Sequence, residues 1–168
     1  HPLFAQFLFS IFNALPESEQ VRIHRSAADF YHQNNQHDEA AHHLLLSRGF
    51  TEAQEIFLQE ADELLADGQY RKLHDLLESF PEEVRNENPL LLYYYTITTN
   101  LVRPFLSRKT LLELLEIFRK TGDANREARI HSVLLQNYIF YQGNREAVQE
   151  LVQTAQAFMD NGGSQLNL

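Results

Sequence analysis

Matching residues recur along this chain at an offset of 33. Ala28, Tyr31, Ala40 and Leu44 are answered by Ala61, Leu64, Leu73 and Leu77. Asn35, just ahead of one expected helix, is answered by Gly68, just ahead of another. A period of roughly 34 residues, with small or apolar side chains at constant places, belongs to stacked helix–turn–helix units. A single helix pair cannot bury its apolar stripe, whereas a stack buries a continuous one. Chains built this way present surfaces and seldom carry out chemistry themselves.

Composition agrees with helices. The 168 residues suffice for one sizeable domain, and 43% apolar residues can fill a continuous core. Six Gly and five Pro are too few for a loop-rich all-β fold, and Leu, Glu, Gln and Ala abound. The formal net charge of −9 lacks the basic footprint that phosphate binding requires, so no direct contact with nucleic acid is expected. The absence of Cys excludes disulfides, thiolate metal sites and a Cys nucleophile, and is compatible with a reducing cytosol. No apolar run approaches the ~18 residues that span a bilayer, so no membrane partner is expected. The opening His1-Pro2-Leu3-Phe4 has neither Met nor a signal-peptide layout and reads as an excised piece of a longer protein; the expected location is the cytoplasm.

Helical spacing places the elements. Residues 3–14 form an apolar helix with Leu3, Phe4, Phe7, Leu8, Ile11 and Phe12 on both faces, which implies a cover outside this segment. Pro16, Glu17 and Glu19 suit the first turn of the next helix, which runs to about residue 33 through Ile23, Ala27, Phe30 and Tyr31. Residues 33–36 make a turn, and Asp38 to Arg48 forms the partner helix, closed by Gly49. Thr51-Glu52-Ala53-Gln54 resembles a capping box for a helix ending at Gly68, partnered by Tyr70 to Phe80. Pro81-Glu82-Glu83-Val84 makes a short helical turn before Pro89. Leu90 to Val102 has strong β propensity, and a continuous apolar run fits a buried strand as well as a buried helix. It is assigned helix because no other segment offers a strand partner. Pro104 ends it. Later helices carry Leu111, Leu114, Leu115 and Phe118 to Gly122; Ile130, Val133, Leu134, Tyr138 and Tyr141 to Gly143; and Val148, Leu151, Val152, Ala155 and Met159 to Gly162-Gly163. The expected fold is all-α, a right-handed superhelix of tetratricopeptide-like antiparallel helix pairs.

Four motifs in a fixed order resemble a known family. His1-Pro2-Leu3-Phe4 with Phe7-Leu8 matches an H-P-L-F-x-x-F-L run. His24-Arg25-Ser26-Ala27-Ala28-Asp29-Phe30-Tyr31 matches a His-x-x-Ala-Ala-x-x-[Tyr/Phe] core, and Asp38-Glu39-Ala40-Ala41-His42-His43 an Asp/Glu-Glu-Ala run. Leu77-Glu78-Ser79-Phe80-Pro81-Glu82-Glu83-Val84, then Pro89-Leu90-Leu91-Leu92, matches a turn followed by a Pro and an apolar helix. Over roughly residues 1–100 the chain thus resembles the large bacterial signal-transduction ATPases, the MalT-like transcriptional regulators, many with LuxR-type DNA-binding ends. Residues 101–168 share only the general helical-repeat style. The resemblance implies that residues 1–15 are the arm leaving a winged-helix domain and that 16–168 are a tetratricopeptide-like sensor region. In such regulators that region binds a small-molecule effector or a regulatory protein, works against neighbouring domains, and controls ATP-dependent assembly. The chain has no G-x-x-x-x-G-K-[Ser/Thr] loop, so ATP is expected only in an ATPase domain outside it, and no cofactor within it.

Candidate chemistry is sparse. Asp38 and His42, like Glu39 and His43, are four apart and share a helix face. Two His at that spacing with a third ligand would suggest zinc, but His37 and His42 are five apart and His42-His43 point apart, so the stretch reads as a polar face with local carboxylate–imidazole contacts and no metal. Tyr93-Tyr94-Tyr95 could floor a ligand groove, yet consecutive helical residues diverge by about 100°, which favours core packing. Ser10, Ser26 and Ser132 lack a nucleophile-elbow context, and Glu82-Glu83 suits a helix first turn. Arg103, Arg108, Lys109, Arg119 and Lys120 could form a patch for an acidic partner, but read as a solvated face. No catalytic, cofactor-binding or metal residues are assigned. The expectation is a non-enzymatic sensor or protein-binding module. The alternative is a tetratricopeptide adaptor that docks a peptide and has no transcriptional role, and a helical enzyme ranks third.

Overall fold

The computed structural model describes residues 2–101, 103–139, 149, 152, 153 and 156. Among the described residues all regular structure is helical: α1 (Pro2–Asn13), α2 (Glu17–Gln33), α3 (His37–Leu46), α4 (Phe50–Ala66), α5 (Tyr70–Glu78), α6 (Glu82–Glu87), α7 (Pro89–Asn100), α8 (Pro104–Thr121) and α9 (Ala124–Asn137). The chain divides into two compact units, His1–Leu91 and Leu92–Leu168. None of the described helices is long and apolar enough to cross a membrane.

In the first unit α2 packs on α3, α3 on α4 and α4 on α5. The offset of 33 reappears as burial. Ala28 and Ala61, Ala40 and Leu73, and Leu44 and Leu77 are all buried, while Tyr31 is half-buried where Leu64 is buried. Ala40, Ala41, Ala53 and Ala61 have no exposed surface, and α3 packs on α4, so small side chains are fully enclosed on both helices. Phe57 and Phe80 meet edge to face at 5.8 Å in the same core.

Helix ends follow one device. Asn35 (φ +56) and Gly68 (φ +71) are the left-handed residues that close α2 and α4. At each end two backbone N–H groups turn back onto helix carbonyls: Gln36 to Tyr31 and Asn35 to His32, then Gln69 to Leu64 and Gly68 to Leu65. The offset of 33 therefore extends to the turn conformation. Two expectations at the next turn are corrected. Arg48 (φ +60), not Gly49, closes α3, because the helix ends at Leu46 and the left-handed position falls one residue earlier. The N–H of Gly49 donates to Leu44 at 2.8 Å. A Cβ on Gly49 would lie 3.1 Å from Glu52 Oε2 and 3.3 Å from Leu44 Cδ2, so the glycine serves close packing. Thr51 is likewise not a cap: α4 begins at Phe50, flanked by Gly49, with no side-chain cap, and Glu52 turns toward Arg25 of α2 at 3.4 Å.

The run from Leu90 is helical, as its context required. Within α7, Leu91, Tyr93, Tyr94, Thr96, Ile97, Thr98 and Asn100 are buried, which explains an apolar run without clean periodicity. Thr96 and Thr98 donate to the carbonyls of Leu92 and Tyr94, so their hydroxyls are satisfied inside the helix. In the second unit α8 packs on α9, burying Leu111, Leu114, Leu115, Phe118, Ile130 and Leu134. Pro104 opens α8, and Gly122 (φ +74) closes it. Asp123 caps α9 by accepting from the Arg126 N–H at 3.1 Å. The expected helix end at Gly143 and most of the last expected helix, through Gly162-Gly163, lie outside the described residues; residues 149, 152, 153 and 156 are helical.

Candidate functional site

The His-rich stretch is where the structure adds most. Asp38 does not serve His42. Its carboxylate accepts from Lys72 Nζ of α5 at 2.7 Å. Burial, the largest single influence, pushes this carboxyl up, but the Lys72 ammonium and the backbone N–H groups of Asp38 and Glu39 together outweigh it and hold Asp38 below its ordinary range. The imidazoles instead pair across α2 and α3. His24 Nδ1 lies 2.9 Å from His43 Nδ1, and His32 Nδ1 lies 3.2 Å from His37 Nδ1. The His43 ring stacks on Tyr31 at 5.3 Å and 10°, while Phe12 of α1 meets His24 edge-on at 5.1 Å.

This corrects the expectation of local carboxylate–imidazole contacts. Only the Glu39–His43 relation persists, as a favourable charge interaction. Burial, then His43, then His42 lower the pKa of His24; burial, then His42 lower that of His43, with Glu39 opposing. His37 Nε2 also stands 4.0 Å from Glu60 Oε1 of α4. Among the described residues no three His, Asp or Glu side chains converge as metal ligands, and each imidazole pair offers two of the four ligands a zinc site takes. The pairing of His24 and His32 was not visible in the sequence. The available signal was their distance from the Asn34–Asn35 turn, which nearly mirrors that of His43 and His37 in an antiparallel pair.

Beside this seam α3 and α5 form a shallow groove of about 360 Å³, lined by Asp38, Glu39, His42, Lys72, Asp75, Leu76 and Ser79. A neighbouring recess of about 260 Å³ shares Asp38 and Lys72 and adds Glu60, Glu63 and Asp67. The Lys72 charge is taken up by Asp38, so this surface is acidic.

The other candidates resolve into structure. Tyr93 and Tyr94 are core residues and Tyr95 is half-buried, so the run does not floor a groove. Tyr93 packs edge-on to Phe118 at 5.4 Å, and the Tyr94 hydroxyl accepts from Arg126 Nη2 at 2.8 Å. Of the basic cluster, Arg108 donates to the Tyr138 hydroxyl and lies over its ring, Lys109 is 3.6 Å from Glu113, and Arg119 binds Glu127 at 3.1 Å and Glu116 at 3.2 Å. Arg103 and Lys120 are exposed. Glu82 and Glu83 occupy the first turn of α6, and the Ser10 hydroxyl donates to the Phe7 carbonyl. Among the buried groups that escaped sequence reasoning is His131, 5% exposed, whose Nε2 is 3.7 Å from the Glu127 carboxylate that Arg119 already holds. Burial is the largest cause lowering its pKa; Glu127 opposes it and Arg119 adds to it.

No protein-family model, curated protein or solved structure matches the chain.

Proposed function

We propose that the chain is a non-enzymatic interaction module, built of tetratricopeptide-like helix pairs in a right-handed superhelix, and that it serves as the sensor segment of a MalT-like bacterial transcriptional regulator. The observation that carries the repeat reading is the coincidence of register and conformation. Three of the four residue pairs 33 apart are buried at both places, and Asn35 and Gly68 hold the same left-handed turn position. Repeats of this kind offer extended surfaces, and here the groove between α3 and α5 supplies an acidic one. The regulator reading is supported by the four motifs in order over residues 1–100.

The mechanism is population shift. An effector or regulatory protein that binds one arrangement of helix pairs better than another biases the parent between resting and assembling states, by no more than its difference in affinity for the two. ATP acts in a separate ATPase domain of the parent, and the chain works in the cytoplasm without touching DNA. The gene that encodes the chain tests the reading directly. A P-loop ATPase ahead of His1 and a DNA-binding domain in the same polypeptide are the expected result. With them in hand, Glu39→Lys with Asp75→Lys should alter effector-dependent activation of the full-length protein. A gene product with neither domain overturns the regulator reading and leaves a peptide-docking adaptor.

A further inference from the structure

The two imidazole pairs sit on one helix hairpin: His32–His37 next to the turn, His24–His43 two helical turns along it. At 2.9 and 3.2 Å the facing nitrogens are at hydrogen-bond distance. Such a contact requires one nitrogen to donate and the other to accept. It survives while at least one ring of the pair is neutral, because a single imidazolium still donates to a neutral neighbour. When both rings are imidazolium, two N–H groups and two positive charges face each other.

We propose that the α2–α3 hairpin is a proton-operated clasp, closed while each histidine pair keeps one neutral ring and opened when both rings of a pair are protonated. The surroundings set its balance. From α1 the neighbour of His24 is Phe12, which carries no charge. On α2 it is Tyr31, stacked on His43. On α3, His42 disfavours protonation of His43 and Glu39 favours it. From α4, Glu60 stands by His37, while Asp38, next to His37, is occupied by Lys72 of α5. Each pair has one carboxylate beside one ring only, Glu39 for His43 and Glu60 for His37, so the charge on the second ring, His24 or His32, faces its partner's charge directly. Burial works in the same direction for His24 and His43. Opening would separate α2 from α3 and uncover Ala28, Ala40 and Leu44. The inference rests on the geometry of this hairpin and is independent of the regulator reading.

Hydrogen exchange of the whole chain at pH 7.5 and 5.5, corrected for the intrinsic pH dependence of exchange, tests it. Opening that takes up at least one proton predicts that protection over residues 22–46 falls at least about tenfold between the two pH values, since each proton taken up on opening is worth up to tenfold per pH unit. The double variant His24→Gln, His32→Gln leaves one imidazole per pair and should shrink that fall at least about threefold, with the burial of His43 accounting for what remains. Unchanged protection in the wild type, or the full fall in the double variant, overturns the proposal. Should the double variant fail to fold, the ring-proton titration of the wild type decides. His24 and His43 titrating in two coupled steps separated by more than about one pH unit supports the clasp, and one shared step near 6.5 overturns it.

Discussion

Left-handed backbone at three non-equivalent residue types sets up a direct comparison. Asn35, Arg48 and Gly68 hold φ of +56, +60 and +71 at successive turns. That region costs a side-chain-bearing residue about 1–2 kcal/mol, less for Asn and nothing for Gly. Arg48→Gly should therefore raise unfolding free energy by about 0.5–1 kcal/mol after the added freedom of the unfolded glycine, and Gly68→Ala should lower it by about 1 kcal/mol, both read from urea unfolding. Arg48 also pairs with Glu17 at 2.8 Å, so the comparison is made in a Glu17→Gln background, where a loss on Arg48→Gly would show that the left-handed position carries no strain. Polar burial makes a second comparison. Asn100 and Asn137 exchange amide hydrogen bonds at 2.8 and 3.4 Å between α7 and α9. Truncating Asn100 to Ala strands part of a buried amide, at a cost of about 1–3 kcal/mol. A double-mutant cycle with Asn137→Ala should return a coupling of at least about 0.5 kcal/mol, and additive losses would mean the pair does not act as one.

Helices differ in what holds them. Ala40 of α3 is fully enclosed, so Ala40→Leu has no space to enter and should cost about 1–3 kcal/mol; an unchanged melting temperature would count against that tight packing. α1 is the opposite case. Leu3, Phe4, Phe7, Leu8, Phe9 and Ile11 are between 45% and 69% exposed, while near its C-terminal end Phe12 meets His24 of α2. Phe4→Ser and Phe9→Ser should therefore shift unfolding free energy by less than about 0.5 kcal/mol. A larger loss would place α1 in a core. α7 shows why propensity alone misleads. Its Tyr and Thr residues favour strands, yet surrounding burial and hydroxyl bonds within the helix override that preference.

For the chain as a whole, histidine burial predicts acid sensitivity. His24, His43 and His131 have folded pKa values below the ordinary 6.5, each chiefly because burial disfavours the charged ring. Below 6.5 the unfolded chain then holds more protons than the folded one. Stability is complete above that pH and declines as pH falls through the histidine range. Asp38, held below its ordinary value by Lys72, adds a second loss only near and below pH 4. The urea midpoint should be lower at pH 5.5 than at 7.5, and His131→Leu should remove part of that difference by removing at most one proton. A midpoint rising toward acid would reverse the sign assigned to these rings.

Periodicity made the helices legible, because a stripe of apolar residues at helical spacing has few other ways to leave water, and the offset of 33 picked out Ala28, Ala40, Leu44 and their partners, all of which are buried. The Gly68 turn was legible for a related reason, since only glycine enters the left-handed region without strain. Cross-helix partners were not legible. Asp38 looked bound to His42 because spacing along one helix is all a linear pattern shows, whereas Lys72, 34 residues away, is nearer in space. His24 meets His43, and His131 loses its contact with water, only through how neighbouring helices come together. Local spacing limits which side chains share a helix face; tertiary structure decides which of those faces meet, and with that which charges are matched and which rings are kept from water.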